Sequence, residues 1–198
     1  MKGTRNIVLI AIAAVVLIFV VWGCSGYNGI IKEDENVKNS WANVQSAYQR
    51  RADLIPNLVN TVKGEAKFEQ ETLIQTIEAR YKNLSSVRVD PENLTTENIA
   101  RFQQAQGELS SALNRLMVVV ENYPTLQTNQ GFRALQAELA GTENRINVAR
   151  NDFNTTVNTY NTKVRSFPMN MFAGMFGFKA REPFKAEEGS EQAPEVQF

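Results

Sequence analysis

The hydrophobic pattern of this chain changes its period once. From Ile7 to Trp22 every residue is apolar, and no charge falls between Arg5 and Lys32. Beyond Lys32 the apolar residues thin out and recur every three or four positions. The first pattern is that of a membrane span, which needs roughly 20 mainly apolar residues to cross a core of about 30 Å. Gly23 to Ile31 extends the uncharged stretch to that length. Trp22 and Tyr27 stand where an interfacial aromatic belt falls. Lys2 and Arg5 precede the span and Glu33, Asp34 and Glu35 follow it, which places the N-terminus in the cytoplasm and the remainder outside. The expectation is a retained single-pass anchor. The alternatives are a cleaved secretory signal and a lipoprotein signal with Cys24 as the lipidated residue, although Trp22 is large for the position two before it. All three put the bulk of the chain outside the cytoplasm.

The second pattern predicts long amphipathic helices. One runs from about Asn36 to Phe68, with a seam of Val37, Trp41, Val44, Tyr48, Ile55, Val59 and Val62. Only Gly23, Gly26 and Gly29 stand between it and the span, so the two are expected to be continuous. Pro56 removes one hydrogen bond and predicts a kink. Lys63 to Glu71, with Gly64, predicts a bend. A second segment carries Leu73, Ile77, Tyr81 and Leu84 on one face. Ser85 to Asn93 is a loop with Asp90-Pro91 as its turn signal. Thr95 or Thr96 caps a third helix with the seam Ile99, Phe102, Gln106, Leu109, Leu113, Leu116, Val120 and Tyr123, ended by Pro124. A fourth starts near Asn129 and stops before Pro168, along Phe132, Leu135, Leu139, Thr142, Ile146, Ala149, Phe153, Tyr160, Val164 and Phe167. Such helices make an all-α, elongated antiparallel bundle behind a transmembrane helix. The expected divisions are 1–28 for the anchor or signal, 29–167 for the bundle, 168–184 for a Met/Phe-rich extension and 185–198 for an acidic, disordered tail.

Composition narrows the chemistry. There is no histidine, which removes the commonest general base, the commonest zinc ligand and every Ser-His or Cys-His nucleophile. Glu78, Glu138 and Glu143 are the carboxylates one would consider for a metal, but di-iron carboxylate bundles pair such glutamates with histidine. No cofactor, metal or catalytic residue is expected. With 21 basic and 21 acidic residues the chain is formally neutral, which argues against nucleic acid. One cysteine allows no internal disulfide.

Two groups of residues remain as candidate sites. The first is polar and lies beside the seams: Arg50, Arg51, Asp53 and Asn57 near Pro56, with Glu143, Arg150, Asn154 and Asn161 on the fourth helix. Buried amides and ion pairs fix register and neighbour choice, and structural specification is the principal reading; a polar groove for a ligand is the other. The second is Met169, Met171, Phe172, Met175, Phe176 and Phe178. These suit a cap over the bundle end, a membrane-surface contact or an adaptable protein-binding patch.

Several of these residues together resemble the LemA family of bacterial membrane proteins. The resemblance rests on the apolar N-terminal segment, on Trp41 with Tyr48-Gln49-Arg50-Arg51-Ala52-Asp53-Leu54-Ile55-Pro56-Asn57-Leu58-Val59, and on Thr142-Glu143-Asn144-Arg145-Ile146 with Ala149-Arg150, Phe153-Asn154, Val157 and Tyr160-Asn161. It continues in Phe167-Pro168-Met169-Asn170 and Gly177-Phe178, and extends to about Phe184. Phe153 stands where a tyrosine is common, and Cys24 is not needed by an ordinary anchored member. The resemblance implies a long helical bundle in the bacterial envelope, no known enzymatic activity and a poorly defined, accessory role. The expected function is therefore a non-enzymatic scaffold that binds the membrane, copies of itself or other envelope proteins, with no small-molecule substrate. A lipid-handling module at the membrane surface is the alternative.

Overall fold

The computed structural model describes residues 2–64, 70–84 and 86–185. Its regular elements there are all helical: α1 (Lys2–Lys63), α2 (Glu71–Leu84), a 3₁₀ turn at Pro91–Asn93, α3 (Thr96–Val120), α4 (Pro124–Thr128), α5 (Gln130–Arg165) and α6 (Met169–Met175). The expected all-α bundle is what the chain forms. From residue 186 onward the expected acidic tail lies outside the described residues, as does Phe68.

Local chemistry sets the helix ends. Thr95 accepts from the Asn98 N–H and Asn129 from the Phe132 N–H, each satisfying one orphan donor of a first turn. Asp90 does the same for the 3₁₀ turn. α1 is unbroken through Gly23, Gly26 and Gly29, and its 62 residues span about 93 Å at 1.5 Å per residue. It contains Pro56 and ends at Lys63, short of the expected Phe68. α3 likewise stops at Val120, not at Pro124, which instead opens α4. Proline suits a first helical position because its missing N–H is one of the orphans.

Cross-helix pairs give the directions. Glu33–Lys163, Ser40–Thr156 and Arg50–Glu138 run α1 antiparallel to α5. Trp41 and Tyr48 meet Phe102, and Arg51 meets Gln106, so α1 and α3 are parallel. Lys63–Glu78 and Arg80–Glu108 fold α2 back between them. The result is an up-down-up-down bundle.

The core is divided. The half nearer the apolar end of α1 holds Ile30, Val37, Trp41, Val44, Tyr48, Phe102, Ile146, Phe153, Val157, Tyr160 and Val164. The distal half holds Ile55, Leu58, Val59, Val62, Ile74, Ile77, Leu109, Leu113, Leu116, Val120, Leu126 and Phe132. Arg51 lies between them. Phe167, at the end of the expected α5 seam, is 81% exposed, because α5 stops at Arg165 and the chain turns away. Val157, one turn from both Asn154 and Asn161, is fully buried.

Candidate functional site

After α6 the chain does not leave the bundle. Residues 179–185 have no regular secondary structure and lie along α5 beside α1 and α3. Two asparagines on α5 hold this strap by its backbone. Asn161 donates to the Arg181 carbonyl and accepts from the Arg181 N–H, both at 2.8 Å. Asn154 accepts from the Phe184 N–H at 2.8 Å and donates to its carbonyl at 3.4 Å. The two amides are seven residues apart, two helical turns or about 10.5 Å. Three extended residues span about 10 Å, so the clamps match the rise of the strap. Pro183 confines the preceding Glu182 to extended backbone and has no N–H to satisfy.

Side chains anchor both clamped residues. The Phe184 ring stacks on Trp41 at 5.7 Å, meets Phe153 edge-on at 5.4 Å and is only 5% exposed. The Arg150 guanidinium lies 5.1 Å over its face and also donates to the Lys185 carbonyl. Arg181 pairs with Asp34 at 2.6 Å and lies over the Tyr160 ring at 5.6 Å. The Tyr160 hydroxyl donates to the Lys179 carbonyl at 3.0 Å. Burial, with Asp34 adding to it, holds that phenol above its ordinary pKa, so it stays protonated as the donor this contact needs.

α6 docks lower on α1, over its glycines. A Cβ at Gly26 would overlap the Met169 side chain, and one at Gly23 would lie 3.5 Å from the Phe172 ring. Tyr27 meets Phe176 at 4.9 Å and Phe178 at 5.8 Å. Met171, Met175 and Phe176 remain exposed. Between α1 and α6 opens an apolar cavity of about 600 Å³ lined by Val16, Val20, Gly23, Tyr27, Phe172 and the exposed Cys24. Gly177, at φ +80°, makes the turn from α6 into the strap.

The polar residues near Pro56 part company, because neighbours on a helix point about 100° apart. Arg51 turns inward and is 3% exposed. It donates to the Ser110 hydroxyl, the Gln106 side-chain and main-chain oxygens and Glu143, tying α1 to α3 and α5, while its Nε is buried without a partner. Its guanidinium also lies 5.1 Å over the Tyr48 ring. Arg50 instead reaches Glu138 across the surface at 2.7 Å, Asp53 accepts from Gln49, and the exposed Asn57 contributes its carbonyl to Thr61. Glu78, Glu138 and Glu143 each face a different cation. Among the described residues no three Cys, Asp or Glu side chains converge as a metal site would require.

Sequence reasoning singled out Asn154, Asn161 and Arg150 by their spacing, but not what they hold. Asp34, Trp41 and Tyr160 complete the groove, and Phe184 fills it. The signal that could have found Phe184 is an aromatic residue beside proline, three residues after an arginine, in an otherwise polar segment.

Comparison with known proteins gives the family. The LemA family model matches residues 40–198, from just before Trp41 on α1 through the strap and beyond. Magnetosome protein MamQ 2 of Paramagnetospirillum magneticum is 26% identical, covering 93% of this chain and 74% of its own length. Magnetosome protein MamQ of Magnetospirillum gryphiswaldense is 27% identical over 80% of this chain and 64% of its own. Protein LemA of Metamycoplasma hominis is 23% identical over 74% of this chain and 63% of its own. The chain belongs to the LemA family.

Proposed function

We propose that this protein is a non-enzymatic scaffold of the bacterial envelope. On this reading α1 anchors it in the membrane with its N-terminus in the cytoplasm, and the bundle stands outside and associates with copies of itself or with other envelope proteins. The observation that carries the reading is the continuity of α1. The same helix presents exposed apolar side chains at Ile7, Leu9, Ile10, Leu17, Ile18, Val20, Val21 and Trp22 and then, from Ile30 onward, the buried seam of the bundle. A helix uninterrupted between the two fixes the height and direction of the bundle, which a soluble enzyme does not need and a scaffold does. The groove that α5 forms with α1 fits the same role, since its donors and acceptors engage polypeptide backbone. Chemical crosslinking in intact membranes, combined with protease accessibility from the outer face, tests the proposal. The expected result is crosslinked species above the monomer and a bundle reachable only from outside. A strictly monomeric, partner-free chain would overturn it.

A membrane-surface role has its own support in the exposed Met171, Met175 and Phe176 beside the apolar part of α1. It predicts that Met171→Glu with Phe176→Glu weakens the contact of α6 with lipid, measured by quenching from brominated lipids, while the anchor is retained. Lipidation at Cys24 is the variant of this reading in which cleavage before Cys24 replaces the helical anchor by lipid, and it would show in the intact mass of the membrane-extracted protein.

A further inference from the structure

We propose that the groove holding residues 179–185 is also the site of self-association: it accepts the same segment from a second copy of the chain. The inference rests on the self-associating scaffold reading and supplies an interface for it. The groove is built for an extended peptide. Two side-chain amides satisfy the N–H and C=O of the two anchor residues, which reads main chain without regard to sequence, as strand pairing does. Selectivity comes from two side-chain seats: Asp34 with the Tyr160 face for an arginine, and the Trp41–Phe153 slot under Arg150 for a phenylalanine three residues later. The segment known to fit both seats is the chain's own Arg181-Glu182-Pro183-Phe184, and every copy carries it.

The strap is also attached in a way that permits exchange. α6 is fastened separately to α1 through Met169 and Phe172 over Gly26 and Gly23, and Phe178, beyond Gly177, completes that attachment through the Tyr27 ring and the Ala173 carbonyl, so the strap begins at Lys179. Releasing residues 179–185 therefore leaves α6 in place. Each hydrogen bond, ion pair and ring packing broken within one chain is remade with the partner, so the exchange is close to neutral apart from the loss of tethering. A short tether supplies an effective concentration on the order of millimolar. Chains anchored in one membrane by one helix, with their grooves at one height, offset that advantage by their own crowding and common orientation.

The test uses full-length chains in a Cys24→Ser background, with two populations of different tag size mixed in one membrane. One carries Gln103→Cys in the groove and the other Lys185→Cys in the strap; in the native chain the Gln103 amide donates to the Lys185 carbonyl at 3.3 Å. Exchange predicts a mixed disulfide dimer several-fold more abundant than that between Lys185→Cys and a control cysteine at Arg115. A synthetic peptide of residues 179–185 in excess should suppress it. A charge exchange gives a readout independent of cysteines. Asp34→Arg in one copy and Arg181→Asp in the other each disfavour their own strap, so mixed pairs should exceed the pairs formed by either variant alone. If the wild-type chain crosslinks as an oligomer but the mixed disulfide does not exceed the control, strap exchange is overturned and the scaffold reading stands. If the wild-type chain is monomeric by every crosslinker, both fall.

Discussion

Phe184→Ala separates the strap from the rest of the fold. The ring is nearly fully buried against Trp41 and Phe153 beneath Arg150. Burying a phenylalanine contributes roughly 1.5–3 kcal/mol, and each well-oriented aromatic pair adds about 0.5–1.5 kcal/mol. A core substitution of this kind costs about 3–5 kcal/mol when the surroundings cannot relax. Here they can relax, because the strap is terminal to α6 and is able to lift away. The loss is therefore capped by the docking free energy of the strap and should come to about 3 kcal/mol in the opening equilibrium, or roughly a hundredfold in the open fraction. Limited proteolysis reads that fraction directly when reclosing outpaces cleavage. Trypsin cleavage after Lys179 and Arg181 should accelerate by about two orders of magnitude, while cleavage within α5 and the helical circular dichroism stay as in the wild type. An unchanged rate at Arg181 would show that Phe184 does not hold the strap. Equal acceleration at Arg145 and Arg150 would show that the strap is not a separate unit, and either result would refute the reasoning.

Other residues give equally definite expectations. Arg51→Ala should lower stability by about 2–5 kcal/mol in chemical denaturation, because Gln106 loses its buried partner and a cavity is left, whereas Glu143→Gln, at the half-exposed partner of the same cation, should cost less than about 1 kcal/mol. Gly26→Leu should displace α6, since even a Cβ there overlaps the Met169 side chain. Tyr27 to Phe178 ring contacts, followed by nuclear Overhauser effects, should then disappear while those of Trp41 persist. Glu33 sits below its usual pKa, chiefly through the Asn36 amide and secondarily through Lys163. Its contribution is complete above the unfolded glutamate value and is lost as pH falls through the lower folded one. Melting temperatures should decline through that acidic window, and less steeply in Glu33→Gln.

What the sequence could and could not reveal follows from how far each signal reaches. Helices, caps and seams are local, so the three-and-four spacing along α3 and α5, the cap at Thr95 and the start of α5 near Asn129 were legible, as was continuity through the α1 glycines. Helix ends were less so. Nothing in the spacing stops α3 at Val120, because the choice between one more turn and the start of α4 at Pro124 depends on where Tyr123 and Leu126 pack. The polar stripe was visible as a periodicity, but a periodicity cannot say what faces it. Asn154 and Asn161 were expected between helices and instead grip a segment some 20 to 30 residues further along the chain. Val157 lies between them and is core, since an apolar residue at that spacing faces inward beneath the strap. Gly23, Gly26 and Gly29 were expected to leave the helix continuous, but their spacing gave no sign of what packs on them. At Gly23 and Gly26 the missing side chain makes room for Phe172 and Met169, and at Gly29 for Lys163.

The division of the core gives the strap its consequence. The distal half is closed by α2, α3, α4 and the ends of α1 and α5, and among the described residues none C-terminal to α5 enters it. The proximal half includes Ala173 and Phe184 among its buried residues. Arg51 stands at the boundary, held by α3 and α5 through neutral oxygens and one half-exposed carboxylate. Trp41 and Phe153 belong to the proximal cluster and Ile55 and Leu109 to the distal one, so opening of the strap should perturb the first pair directly and the second only through the layer around Arg51. On this division, release of the C-terminal segment should leave the distal half folded. This separation is what a scaffold that exchanges segments with its neighbours requires. It also identifies Arg51 as the residue whose loss should couple the two halves, making strap release and global unfolding coincide.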